Sequence, residues 1–146
     1  MVGHHPVMQP AVCVLVFDAE HRVLLTRQRD DGAWHTVGGA LDPHEQPAAA
    51  ALREVKEETG LDVVLERVSS VCAGPDQTYA NGDRVLYTTI TFVARAPVGQ
   101  PPIISDDEGL ELRFFRLDEL PELKALERAI IETAARNDVR CSFSLG

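Results

Sequence analysis

Cysteine is scarce in this chain: Cys13, Cys72 and Cys141 are its three thiols in 146 residues, with neither paired nor metal-ligand spacing. Apolar or small neighbours flank them, Val12 and Val14 beside Cys13, Val71 and Ala73 beside Cys72. They read as buried, reduced side chains, which excludes a disulfide scaffold. Long apolar runs are also absent. The longest, residues 11–17, is far short of the ~20 residues that span a bilayer, so no membrane partner is expected. Residues 1–10 lack the basic start and apolar stretch of a signal peptide and are expected to form a flexible segment, His4 and His5 included; a cytoplasmic location is expected. Positive charge is the minority, with 14 Lys and Arg against 23 Asp and Glu and a net charge of -9. That surface repels duplex DNA and long RNA. A chain so acidic needs metal ions to handle small phosphorylated compounds.

What is present is ordinary for one soluble domain: 45% hydrophobic and 25% charged residues, without repeats or low-complexity stretches. A single domain over residues 1–146 is expected. Residues 12–17 and 23–25 read as a hairpin around Asp18-Ala19-Glu20-His21. Pro47 opens a helix that runs to Thr59 and stops at Gly60. Residues 61–71 read as one or two strand segments. Asn81-Gly82 marks a turn before a β-branched strand over 85–94. A short strand over 112–115 and an amphipathic helix over 121–136 close the chain. Strands, helix, strands, helix: the pattern specifies a mixed sheet with helices on its faces.

The informative stretch runs from Gly39 to Leu61, with fixed points Gly39, Glu45, Arg53, Glu54, Val55, Glu57, Glu58, Gly60 and Leu61. On the helix, Ala48, Ala51, Leu52, Val55 and Thr59 form one apolar stripe. Glu54, Glu57 and Glu58, at i, i+3 and i+4, crowd a second face that is expected not to pack. Like charges so spaced repel, and a hard divalent cation turns that repulsion into coordination. Arg53, one turn from Glu57, is placed to orient a carboxylate. Three glutamates alone are better read as a solvated acidic face. The full pattern, seven specified residues at average usage and two apolar ones, arises by chance on the order of 10⁻⁹ per starting position.

The arrangement resembles the Nudix box, Gly-x5-Glu-x7-Arg-Glu-(apolar)-x-Glu-Glu-x-Gly-(apolar), here complete. Trp34 before Gly38-Gly39 resembles the family's lead-in, and Glu108-x-x-Glu111-x-Arg113-Phe114-Phe115 with Leu117-Asp118-Glu119-Leu120-Pro121 resembles its C-terminal section. Two departures stand out: Thr36-Val37 where the family often has Leu-Pro, and His44 where a glycine usually precedes the first box glutamate. The resemblance implies an α/β/α sandwich around a mixed sheet and a Mg²⁺- or Mn²⁺-dependent pyrophosphohydrolase. Its substrate would be a nucleoside-diphosphate derivative, a nucleotide sugar such as ADP-ribose or a nucleoside triphosphate. Glu54, Glu57 and Glu58 would be metal ligands together with the carbonyl of Gly38 or Gly39, and Arg53 and Glu45 would position loop and helix. Homodimers are common in such a family.

Hydrolysis of a diphosphate builds negative charge at phosphorus, which bound cations stabilise while a carboxylate takes the proton of the attacking water. Glu57 is a candidate base, and Glu108 and Glu111 lie where family members recruit a later glutamate. Glu108, before Gly109 in a loop, is favoured over Glu111. Tyr79 and Arg84 flank the Asn81-Gly82 turn and are weaker candidates for substrate contact; Arg27 and Arg29 are weaker still. Trp34 reads as a packing anchor. Two other classes compete: a nucleotide-sugar sensor that does not cleave, and an isomerase on the same fold, which needs a cysteine and a glutamate facing each other. The first would have lost box glutamates; this chain keeps them all.

Overall fold

The computed structural model describes residues 5–136 and 139–146. Strand β1 (Val7–Phe17) decides the architecture. Side chains alternate across a strand, and here both sides are apolar. Val12, Val14 and Val16 enter one core with Leu24, Val37, Ala51 and Val55, while Cys13, Leu15 and Phe17 enter another with Leu25, Phe115, Ile130 and Ile131. Helix α1 (Pro47–Thr59) covers the first core and α2 (Ala125–Ala135) the second. A central mixed sheet between two helical layers is an α/β/α sandwich. Leu15, Val14 and Val16 are fully buried, and truncating a side chain such as Leu15 to Ala costs about 2–5 kcal/mol.

Beyond β1 the strands are β2 (Val23–Gln28), β3 (Trp34–Ala40), β4 (Val64–Thr78), β5 (Arg84–Arg95) and β6 (Gly109–Phe115). Their order is β4-β5-β1-β3-β2-β6. The pairing of β1 with β5 is parallel, from Val7↔Val85 to Phe17↔Arg95, and the others are antiparallel.

Helix α1 matches its local signals. Pro47 opens it, and Gly60 closes it in the left-handed conformation (φ 72°), donating its N–H to the carbonyl of Lys56 at 3.0 Å. Its buried stripe differs from the expected one. Ala50, Ala51, Val55, Glu58 and Thr59 point inward, whereas Ala48 and Leu52 are exposed. The helix is turned so that Glu58 reaches a backbone donor on β3, which no count of apolar residues registers.

Five further expectations change. Residues 7–10 are paired with β5 rather than flexible, and His4 lies outside the described residues. The β1–β2 hairpin pairs at Phe17↔Val23, and β3 then inserts between the two strands. Strand β4 extends to Thr78 with register shifts along its length, so the segment is longer than the sequence suggests. Helix α2 begins at Ala125, not Pro121, with Lys124 as its N-cap; Leu120 and Leu123 still pack on the core ahead of it. Among the thiols, Cys13 is buried but Cys141 is exposed.

Candidate active site

Strand β3 brings Gly38 and Gly39 against α1. The N–H of Gly38 donates to Oε2 of Glu58 at 3.0 Å. A Cβ on Gly39 would stand 2.4 Å from Oε1 of Glu54, so the carboxylate lies directly on the backbone because no side chain is there. Burial, with the charge of Glu54 beside it, pushes the carboxyl of Glu58 up to about 9; the Gly38 N–H opposes that rise, and Asp106 and Glu108 reinforce it. Burial also raises the carboxyl of Glu54, against the pull of Arg53. The expectation that all three box glutamates share a face that does not pack is therefore corrected. Glu57 is exposed, but Glu54 and Glu58 are turned into the protein.

Arg53 organises the cluster. Its Nε and Nη2 grip Glu45 at 2.7 and 2.8 Å, Nη2 also donates to the carbonyl of Ala40 at 3.2 Å, and Nη1 reaches Glu54 at 3.1 Å and Glu57 at 3.2 Å. Glu45 is drawn well below the ordinary carboxylate range, to about 2, by Arg53 and then by the N–H of Asp42. His44, beside it, has φ 64°, the left-handed conformation that favours glycine. The departure at this position thus puts an L-residue on a turn that favours glycine.

The loop before β6 supplies Glu108. Asp106 Oδ1 accepts the N–H groups of Glu108 and Gly109, and Arg29 donates its own N–H to the carbonyl of Glu108 at 2.7 Å and its Nε to that of Asp107 at 3.1 Å. A cavity of about 290 Å³ opens here, lined by Gln28, Arg29, Asp30, Asp107 and Glu108. Glu111 is placed differently. It shares a strand face with Arg113 and Phe115, on the α2 side, and pairs with Arg113 and, at 3.6 Å, with Arg27. Trp34 is the packing anchor expected of it, edge-on to Phe115 at 4.9 Å with Arg113 above its ring. Tyr79 closes the β4–β5 turn through Asp83 and Gly82 and meets the hydroxyl of Tyr87 at 3.1 Å; Arg84 begins β5 opposite Thr78. Neither is brought to the box by these contacts. Cys13 lies in the α2-side core, across the sheet from α1 and its glutamates, so it does not face them as the isomerase reading requires; burial pushes its thiol up to about 12.

The family model of the NUDIX domain matches residues 7–135. The chain belongs to the Nudix family. An ADP-ribose pyrophosphatase of Methanocaldococcus jannaschii is 28% identical over 133 residues, 88% of this chain and 75% of that protein. A putative 8-oxo-dGTP diphosphatase of Mycobacterium tuberculosis strain H37Rv is 31% identical over 104 residues, 71% of this chain; the match spans 46% of that relative's length. The crystal structure of an ADP-ribose pyrophosphatase from Streptococcus suis superposes with a TM-score of 0.70 at 27% identity, covering 93% of this chain and 98% of that one. These Nudix relatives and neighbours indicate the enzyme class, a pyrophosphatase acting on phosphorus anhydrides, and relatives of this kind act on small nucleotide-linked substrates. No helix among the described residues is long and apolar enough to cross a membrane.

Nudix domains generally use divalent metal ions. The donor set fits one: the carboxylates of Glu54, Glu57 and Glu58 and the Gly38 carbonyl are all oxygen, as a hard cation requires. A carboxyl that burial and a neighbouring charge raise to about 9 is a group whose ionised form calls for a compensating cation. Among the described residues, no three His, Cys, Asp or Glu side chains already converge as a cage. Arg53 holds Glu54 and Glu57 instead.

Proposed function

We propose that this Nudix domain hydrolyses the diphosphate linkage of a nucleoside-diphosphate derivative, with Mg²⁺ or Mn²⁺ as cofactor and a nucleotide sugar such as ADP-ribose as the first substrate to test. One observation carries the reading. Two glutamates of α1, Glu54 and Glu58, are buried against the Gly38-Gly39 strand, at the cost of desolvating two acids. A fold that retains two such groups uses them.

Glu54, Glu57, Glu58 and the carbonyl of Gly38 would hold the cation, which when bound supplies the positive charge and water activation that a diphosphate reaction needs. Arg53 sets the rotamers of Glu54 and Glu57, and Glu45 fixes Arg53. Glu108, the later glutamate whose charge bears on Glu58, accepts the proton of the attacking water. Glu111 faces Arg27 and Arg113 and has no part in that step. The ADP-ribose pyrophosphatase activity named for two relatives supports the substrate choice.

The test is a panel of nucleotide sugars, nucleoside triphosphates, dinucleoside polyphosphates and NADH with Mg²⁺ and with Mn²⁺, scored by the phosphorus products released. Hydrolysis of a nucleotide sugar to two monophosphates is the expected result. Tight binding without cleavage of any member would make the chain a sensor.

A further inference from the structure

A further carboxylate is largely buried outside the box. On the opposite helical layer, Oε1 of Glu127, from α2, accepts the backbone N–H of Thr36 at 3.1 Å and meets Nδ1 of His35 at 3.1 Å. The other ring nitrogen, Nε2, meets Oδ2 of Asp31 at 2.7 Å. The Glu127 and His35 side chains are only 16% and 17% exposed, and Oε2 of Glu127 is buried without a hydrogen-bond partner among the described residues. A carboxylate so placed is costly unless its bonds are kept. Two residues along the same strand, the N–H of Gly38 donates to Glu58 of α1.

We propose that Glu127 is a positioning residue for Glu58, acting through β3. The two helices grip alternate amides of one strand, about 6–7 Å apart at the usual strand rise. Little slack separates the grips. A Cβ on Gly38 would lie 2.2 Å from the carbonyl oxygen of Val12, so β3 is pressed onto β1 at the amide that Glu58 uses. A shift of Thr36 towards or away from α2 therefore moves Gly38, and with it the acceptor carboxylate. His35 holds the Glu127 carboxylate in line, and Asp31 holds His35. The inference rests on the reading of Glu58 as a site residue.

Glu127→Ala removes the acceptor of the Thr36 N–H, whereas Glu127→Gln keeps an amide oxygen in its place. Each variant is assayed on the best substrate of the panel, well below its own Tm, and Thr36 and Gly38 amide exchange is followed by NMR in metal-free protein. Glu127→Ala is expected to lower kcat about tenfold with KM changed less than about twofold, since a small displacement at the chemistry is enough. It should also speed exchange at Gly38, two residues along β3 from the lost contact and bonded to the opposite helix. Glu127→Gln should restore both. A lowered Tm with wild-type kcat and an unmoved Gly38 amide would make Glu127 merely structural and overturn the proposal. Should Glu127→Ala not fold, Glu127→Asp, which withdraws the carboxylate by one methylene, is read by the same criteria. Glu58→Gln, run in parallel, separates the two readings. If Glu58→Gln is inactive and Glu127→Ala is not impaired, the positioning role alone falls; if Glu58→Gln is fully active, both fall.

Discussion

Arg53 holds Glu45 with two arms of its guanidinium, Nε to one carboxylate oxygen at 2.7 Å and Nη2 to the other at 2.8 Å. The pair ties the turn before α1 to the helix that carries the box. Lysine carries the same charge but has no planar fork. Arg53→Lys is therefore expected to lower kcat at least about tenfold while the protein stays folded, because Glu54 and Glu57 lose their shared donor. Wild-type kinetics in Arg53→Lys would reduce the fork to a surface ion pair.

The same pair sets an acid limit. Glu45 is depressed from 4.5 to about 2 in the folded chain, so its contribution to stability is fully present above its unfolded value and is lost as pH falls towards 2. Thermal midpoints measured from pH 6 down to pH 2 should fall more steeply in the wild type than in Glu45→Gln. Parallel curves would show that Arg53 does not stabilise the ionised carboxylate.

Glu58→Gln keeps the shape and an acceptor for the Gly38 N–H but removes the group that can ionise. It should lower turnover by orders of magnitude and raise the metal-free Tm near neutral pH, since an amide is buried without the proton uptake that a carboxyl raised to about 9 requires on folding. On the proposed function Mg²⁺ is expected to bind the native state preferentially and so to raise the wild-type Tm. The rise should disappear in the triple variant Glu54→Gln, Glu57→Gln, Glu58→Gln. An undiminished Mg²⁺ effect there would locate the cation elsewhere.

Glu108→Gln should depress kcat with little change in KM, as loss of a proton acceptor used only in the transition state does. Glu111→Gln, on the α2 side, should leave kcat near the wild-type value. The reverse pattern would reassign the base; two silent variants would return it to the box, to Glu57.

The contact with Glu127, and then that with Asp31, raises the His35 imidazole above its ordinary value, against burial. Neutral imidazole has one N–H and cannot donate to both carboxylates. Its stabilising contribution is thus complete below the unfolded value of 6.5 and is lost as pH rises through the higher folded value. Tm measured between pH 5.5 and 9 should fall over that window in the wild type and stay flatter in His35→Gln. Equal slopes would mean that the ring carries no charge.

What the sequence displayed was local. Pro47 and Gly60 bracket α1 because the missing N–H of proline and the left-handed glycine act on the backbone beside them. The box residues came together because one helix and one turn carry them. The insertion of β3 between β1 and β2, the inward turn of Glu58 and the His35–Glu127 contact across 92 positions depend on partners distant in the chain. Ala48 and Leu52 mislead for that reason: spacing alone assigns them to the core, and the sheet chose the neighbouring stripe.

His44 adopts φ 64°, a conformation costing roughly 1–2 kcal/mol for an L-residue. Part of that is regained through the greater freedom of an unfolded glycine chain. His44→Gly should stabilise the fold by about 0.5–1 kcal/mol net, measured by denaturant titration. A destabilised variant would show that the imidazole makes a compensating contact.

Strand β1 fills two cores at once, even-numbered valines on one side and Cys13, Leu15 and Phe17 on the other. One extra residue inserted after Val12 would send every following side chain to the wrong layer, because the period of a strand is two. The parallel partner β5 would have to slip by one position to follow. Insertions are therefore expected to be tolerated not within β1 but at exposed connections, such as the turn at Asn81-Gly82 and the segment around Val98.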